Sequence, residues 1–268
     1  MLFRSTGFVV AGIHAFMLRR DAHNRFHKAA LAIALAVGGV SAILQPLSGD
    51  FLAKRVAITQ PVKLAAFEGQ FQTETAAPLR VGGLPDEDAR VTRYAIEIPY
   101  ALSMLAYGYP NAVVKGLNDF PADQHPPVAI VHISFQIMVA CGVAMMLIAL
   151  WGFWRYLRGR RKPQTGTNQD WLNSKWFLRV LVVAAPLGFI AIETGWIVTE
   201  VGRQPWIIFG VMRTSEAVTP MPGLIVPFIT FTLLYIFLAL VTVWLLLRQV
   251  AASPRDPEPR DQEKSVAA

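Results

Sequence analysis

Four stretches of this chain stay apolar for longer than a globular core needs, and they constrain what it can fold into. Residues 29–47, 127–154 and 223–247 carry no charge, and residues 180–199 carry a single carboxyl, Glu193. A helix rises about 1.5 Å per residue, so roughly 20 apolar residues cross the ~30 Å hydrocarbon layer of a bilayer. Each stretch meets that length, is too long for one strand, and lacks the alternation of a barrel strand. A fifth run, residues 7–18, gives only about half a span before Arg19, Arg20 and Asp21. The expected fold is all-α, a multi-pass transmembrane helix bundle of four full spans plus one partial N-terminal span.

Composition agrees. The chain is 54% hydrophobic and 16% charged, well below the charge of a soluble domain. Its net charge of +7 is no sign of nucleic-acid binding, because the basic residues stand in short blocks beside apolar runs, as they do where they set membrane orientation. Arg19, Arg20, Arg25 and Lys28 follow residues 7–18, and a cluster from Arg155 to Arg179 follows residues 127–154; Arg248, Arg255, Arg260 and Lys264 close the chain. The positive-inside rule places these blocks and the C-terminus in the cytoplasm, and residues 48–126 outside. The single cysteine, Cys141, lies within an apolar run and excludes an internal disulfide framework. The expected units are residues 1–47 (partial span and second helix), 48–126 (outer loop), 127–250 (remaining spans) and 251–268, a Pro-rich charged tail expected to be disordered. A loop as long as 48–126 is more often functional than a simple connector.

Three places hold side chains that need explaining. In Glu193-Thr-Gly-Trp196-Ile-Val-Thr-Glu200-Val-Gly-Arg203-Gln-Pro-Trp206, the two glutamates fall within about 20° of one helix face. A carboxyl in a span is costly without a partner, water or metal. Arg203, one turn past Glu200, can hold a carboxylate by charge-assisted hydrogen bonds. The plain alternative is a Glu200–Arg203 pair at the membrane edge. In His132-Ile-Ser-Phe-Gln136-Ile-Met138-Val-Ala-Cys141, Met138 reads as packing unless something else marks it, and His132 reads as an ordinary buried histidine. In Pro61-Val-Lys63-Leu-Ala-Ala-Phe-Glu68, Lys63 and Glu68 are about 140° apart on a helix, poorly placed to pair; spacing alone gives a solvated amphipathic helix.

The run from Gly195 to Trp206 resembles the signature of cytochrome bd subunit I, and Arg213-Thr and Val218-Thr-Pro continue the likeness. Ser134-Phe-Gln-Ile-Met138-Val resembles the segment of that family whose methionine ligates a low-spin haem b, and many members have arginine where this chain has Gln136. Lys63-Leu-Ala-Ala-Phe-Glu68 resembles the family's quinol loop, in its shorter form, and Ile98-Pro-Tyr and Lys115-Gly-Leu resemble its later part. The resemblance implies that Met138 is an axial ligand of low-spin haem b, that Glu200 ligates a high-spin haem, and that Arg203, Trp196, Trp206 and Gln136 neighbour those groups. It implies ubiquinol at Lys63 and Glu68, and a third group that is haem d or another haem b. It further implies an inner-membrane quinol:oxygen oxidoreductase of aerobic respiration, partnered by subunit II and a small accessory subunit.

The same resemblance implies upstream helices bearing two haem-ligating histidines. With the half-length first run, this leads to the expectation that the chain is the C-terminal part of subunit I, inactive alone until joined by the missing N-terminal part. His14 reads as packing or interface, His23 and His27 as solvated, and His125 as an interface residue. Two readings from other classes stay open at this point: a transporter relaying protons through Glu193 and Glu200, and a non-catalytic structural fragment.

Overall fold

The computed structural model describes residues 2–160, 172 and 174–252; the tail expected to be disordered lies outside them. Helix α1 (Leu2–Arg20) turns at Asn24, whose side chain caps α2 (Arg25–Thr59) by accepting the His27 backbone N–H. The two helices pack closely because glycines meet at their crossing. A Cβ added to Gly7 would stand 2.6 Å from the Gly38 Cα, so only small residues allow this approach.

Helix α1 is longer than the half-span expected from residues 7–18. Its 19 residues reach about 28 Å at 1.5 Å each, because Arg4 and Ser5 are buried within the helix rather than ending it. Ser5 Oγ donates to the Gly188 carbonyl at 3.1 Å, tying α1 to the third full span. Likewise α2 runs through Pro46 and continues twelve residues past position 47, to Thr59.

The segment between α2 and the next span holds short strands as well as short helices. After α3 (Pro61–Glu68) come β1 (Glu74–Thr75), β2 (Leu79–Val81), β3 (Leu84–Asp86), β4 (Val91–Arg93) and β5 (Ile96–Ile98), then α4 (Ala101–Tyr107) and β6 (Val113–Val114). Antiparallel pairs form between β1 and β6, β2 and β5, and β3 and β4. Gly82, Gly83 and Pro85 interrupt helix formation here, and short extended segments pair instead.

Helix α5 (Val128–Arg160) is the second full span. The third is built from α6 (Lys175–Ala184) and α7 (Leu187–Glu200), with the break at Pro186, which lacks the N–H a continuous helix would use. A hairpin of β7 (Trp206–Ile208) and β8 (Met212–Arg213) leads to α8 (Ile225–Ala251), the fourth span, which buries none of its residues in this chain. Four helices are therefore long and apolar enough to cross a membrane. Apolar cores join α3, α4 and the start of α5 on one side, and α1, α2 and α6 on the other.

One histidine departs from expectation. His27 is buried, not solvated, because the Asn24 cap turns it inward against His14, with the two Nδ1 atoms 2.8 Å apart. One ring must donate and the other accept there. His23 is exposed.

Candidate haem and quinol sites

Helix α5 uses two opposite faces. On one, Met138 is half-buried against α7 at Gly195, where an added Cβ would lie 3.1 Å from the Met138 sulfur. The absence of a side chain at Gly195 thus seats the thioether beside the helix that carries Glu200. On the other face, about 200° around the helix from Met138, Gln136 faces the outer loop. Its Oε1 accepts the Gly82 N–H at 3.1 Å and its Nε2 donates to the Arg80 carbonyl at 2.9 Å. Its amide is committed to backbone more than fifty residues away in the chain, which no local pattern around Gln136 announces.

At the end of α7, Glu200 and Arg203 form the plain pair: Arg203 Nη2 donates to Glu200 Oε1 at 3.0 Å, with Glu200 largely exposed. A turn of 3-10 helix (Val201–Arg203) sets this i,i+3 spacing. Lys63 reaches the same place from α3, its Nζ donating to the Thr199 carbonyl at 3.0 Å. Burial and the Arg203 charge lower the Lys63 ammonium's pKa, and Glu200 works against them. Lys63, Glu200 and Arg203 thus form one charge cluster, which the sequence, by grouping Lys63 with Glu68, did not show. Glu193 and Trp196 are exposed on the same helix.

Trp206 closes the strip. Its indole N–H is buried and has no acceptor among the described residues, while the Arg213 guanidinium lies 5.2 Å from its ring centroid. Arg213 also donates to Asp123 at 2.7 Å, a bond that holds the Asp123 carboxyl below the ordinary range. The hairpin after α7 is thereby pinned to the segment entering α5.

Glu68 lies apart from Lys63. It is 5% exposed, its Oε2 has no hydrogen-bond partner among the described residues, and burial pushes its carboxyl up to about 8 against the pull of Arg80. Arg80 itself donates to Gln70 and to Glu97, the latter at 3.0 Å. Neither Arg80 nor Gln70 carries a sequence pattern that announces a site; Arg80 is marked only by its charge acting on Glu68.

These residues suit one side of a haem each. No group of three or more His, Cys, Asp or Glu that could enclose a metal ion occurs among the described residues, but a porphyrin iron asks only for axial donors. Met138 supplies a thioether, Glu200 a carboxylate, and the unpartnered Trp206 N–H can serve an anionic acceptor such as a propionate. His14 and His27 are occupied with each other.

A mainly helical chain with four span-length helices is a multi-pass membrane protein. The chain belongs to the cytochrome bd terminal oxidase subunit I family, whose model matches residues 2–254. It is 37% identical over 261 residues to the putative cytochrome bd menaquinol oxidase subunit I of Bacillus subtilis (strain 168), covering 96% of this chain and 56% of that one. It is 34% identical over 257 residues to the cytochrome bd ubiquinol oxidase subunit 1 of the same organism, covering 91% and 53%. Among solved structures it is similar to the bd oxidase of Geobacillus thermodenitrificans, with a TM-score of 0.80 and 39% identity over 94% of this chain and 56% of that chain. The chain thus spans about half the length of the relatives it matches. Family membership leaves the transporter reading without support.

Proposed function

We propose that this chain forms the quinol-oxidising and haem-holding half of subunit I in a bd-type quinol:oxygen oxidoreductase of a bacterial inner membrane. The observation that carries the reading is the seat of the Met138 sulfur against Gly195, which joins the thioether helix to the helix bearing Glu200. Met138 holds a low-spin haem b and Glu200 a high-spin haem b, with haem d or a third haem b completing the set. Haem, when bound, supplies one-electron transfer and the place where oxygen is reduced.

The remaining work falls to the chain's own groups. Arg203 holds the Glu200 carboxylate in place, and the Trp206 N–H meets an anionic group. Trp196 flanks the Glu200 haem position; Gln136, which the resemblance sets beside a haem, lies on the α5 face opposite Met138. Lys63 and Glu68 bind the quinol head group, for which we favour ubiquinol. Glu68, with its carboxyl about one unit above neutrality, is suited to take up and release a quinol proton near physiological pH. The basic blocks support a reading with residues 48–126 in the periplasm and the C-terminus in the cytoplasm. Proton release on quinol oxidation is therefore periplasmic. Oxidase subunit II, the rest of subunit I and a small accessory subunit are the partners, and the apolar surface of α8 faces lipid or those chains.

Reduced-minus-oxidised optical spectra of the purified complex containing this chain test the reading. We expect b-type bands and oxygen uptake with ubiquinol exceeding that with menaquinol. A colourless complex would reject the haem assignment, and a reversed preference would reject ubiquinol.

A further inference from the structure

Helix α5 grips the outer loop through residues to which the proposed chemistry gives no anchoring task. His132 and Gln136 stand one turn apart on the face opposite Met138. His132 is fully buried, with Nδ1 2.9 Å from the Phe67 carbonyl and Nε2 3.1 Å from the Gly82 carbonyl. Carbonyl oxygens only accept, so a neutral ring can satisfy one of them and an imidazolium both. Gln136 adds the Gly82 N–H and the Arg80 carbonyl, so its amide imitates a neighbouring strand on the turn after β2. The two side chains thus meet four backbone groups from two separate loop segments, a neutral His132 ring bonding one of its two carbonyls and an imidazolium both.

The held groups are not random. Phe67 immediately precedes Glu68, and Arg80 is the cation whose charge acts on Glu68. From this placement we propose that His132 and Gln136 are positioning residues. They lock the Glu68 segment and the Arg80 strand to the Met138 helix, and so fix the distance between the Glu68 carboxyl and the Arg80 guanidinium. The mechanical claim stands on these hydrogen bonds alone; its bearing on quinol oxidation rests on the reading given under Proposed function. Arg80 has competing anions, Glu97 at 3.0 Å and Glu74 at 3.5 Å. Freed of its backbone anchor, it is expected to move toward them and away from Glu68.

The test uses the assembled membrane complex containing the full chain. In the unmodified protein, the Gly82 amide should exchange slowly with solvent although it lies in a turn; free exchange there would overturn the proposal without any variant having to fold. In Gln136→Met, close in size but unable to make either bond, exchange across residues 79–83 should accelerate roughly tenfold, the scale of a lost hydrogen bond or two. The infrared C=O band that vanishes in Glu68→Gln should then titrate at higher pH in Gln136→Met, because the Arg80 attraction that favours the carboxylate has weakened. Unchanged exchange, or faster exchange with an unmoved Glu68 midpoint, overturns the proposal. Quinol turnover is read separately: a Glu68→Gln complex that oxidises quinol at the normal rate removes the quinol assignment, while the exchange and infrared results still decide the anchor.

Discussion

Glu68 is the side chain whose surroundings differ most from those of its type in water. Burial disfavours its charged form, and the Arg80 charge offsets only part of that. Between the ordinary glutamate value and about 8, the folded chain holds a proton that the unfolded chain has released. Stability therefore falls as pH rises through that window, and is not penalised below it. Glu68→Gln cannot ionise, so it should match the parent at pH 4 and exceed it at pH 9. The gain is about 5 kcal/mol at most, from about 1.4 kcal/mol per unit between 4.5 and about 8. Thermal unfolding of the two proteins at both pH values is the check, and a gain at pH 4 equal to that at pH 9 would contradict the assignment. Glu200 behaves differently. Its pair with Arg203 is largely exposed, and such pairs contribute about 0–1 kcal/mol. Glu200→Ala should leave the melting temperature of the apoprotein almost unchanged.

At the scale of elements, the helix contacts rest on two kinds of glycine. Gly7 meets backbone: a Cβ there would stand 2.6 Å from Gly38 Cα, and α1 and α2 would have to separate. Gly195 meets the end of a flexible side chain, the Met138 sulfur at 3.1 Å, which can swing aside. Gly7→Ala should therefore cost about 1–3 kcal/mol as overpacking, whereas Gly195→Ala should cost less than ~1 kcal/mol yet shift the midpoint potential of the haem proposed for Met138. Unfolding curves and redox titration of both variants separate the two effects. The spans were legible from charge-free length, and the Glu200–Arg203 pair from spacing alone. The division of the third span was implicit in Pro186. The strand pairs were not, since triplets such as Leu79–Val81 are too short to show a period and gain stability only from a partner distant in sequence. The cluster of Lys63 with Glu200 was hidden for the same reason: its members lie 136 residues apart along the chain at their point of contact, Lys63 with Thr199.

The whole molecule is asymmetric. Residues from α2 to the start of α5 form a compact outer layer of small helices and strand pairs over one apolar core, while α8 presents its full apolar surface outward. A layer that carries Glu68, packed against helices that carry Met138 and Glu200, puts the groups proposed for proton handling and haem ligation in one body. The central claim is that a thioether and a carboxylate, each on its own span, bind iron. The most direct measurement is the reduced-minus-oxidised spectrum of the assembled complex with Met138→Ala and, separately, with Glu200→Ala. The first should lose the low-spin b-type band and the second the high-spin signal, each leaving the other in place. Spectra identical to the parent in both variants, with oxygen uptake undiminished, would contradict it.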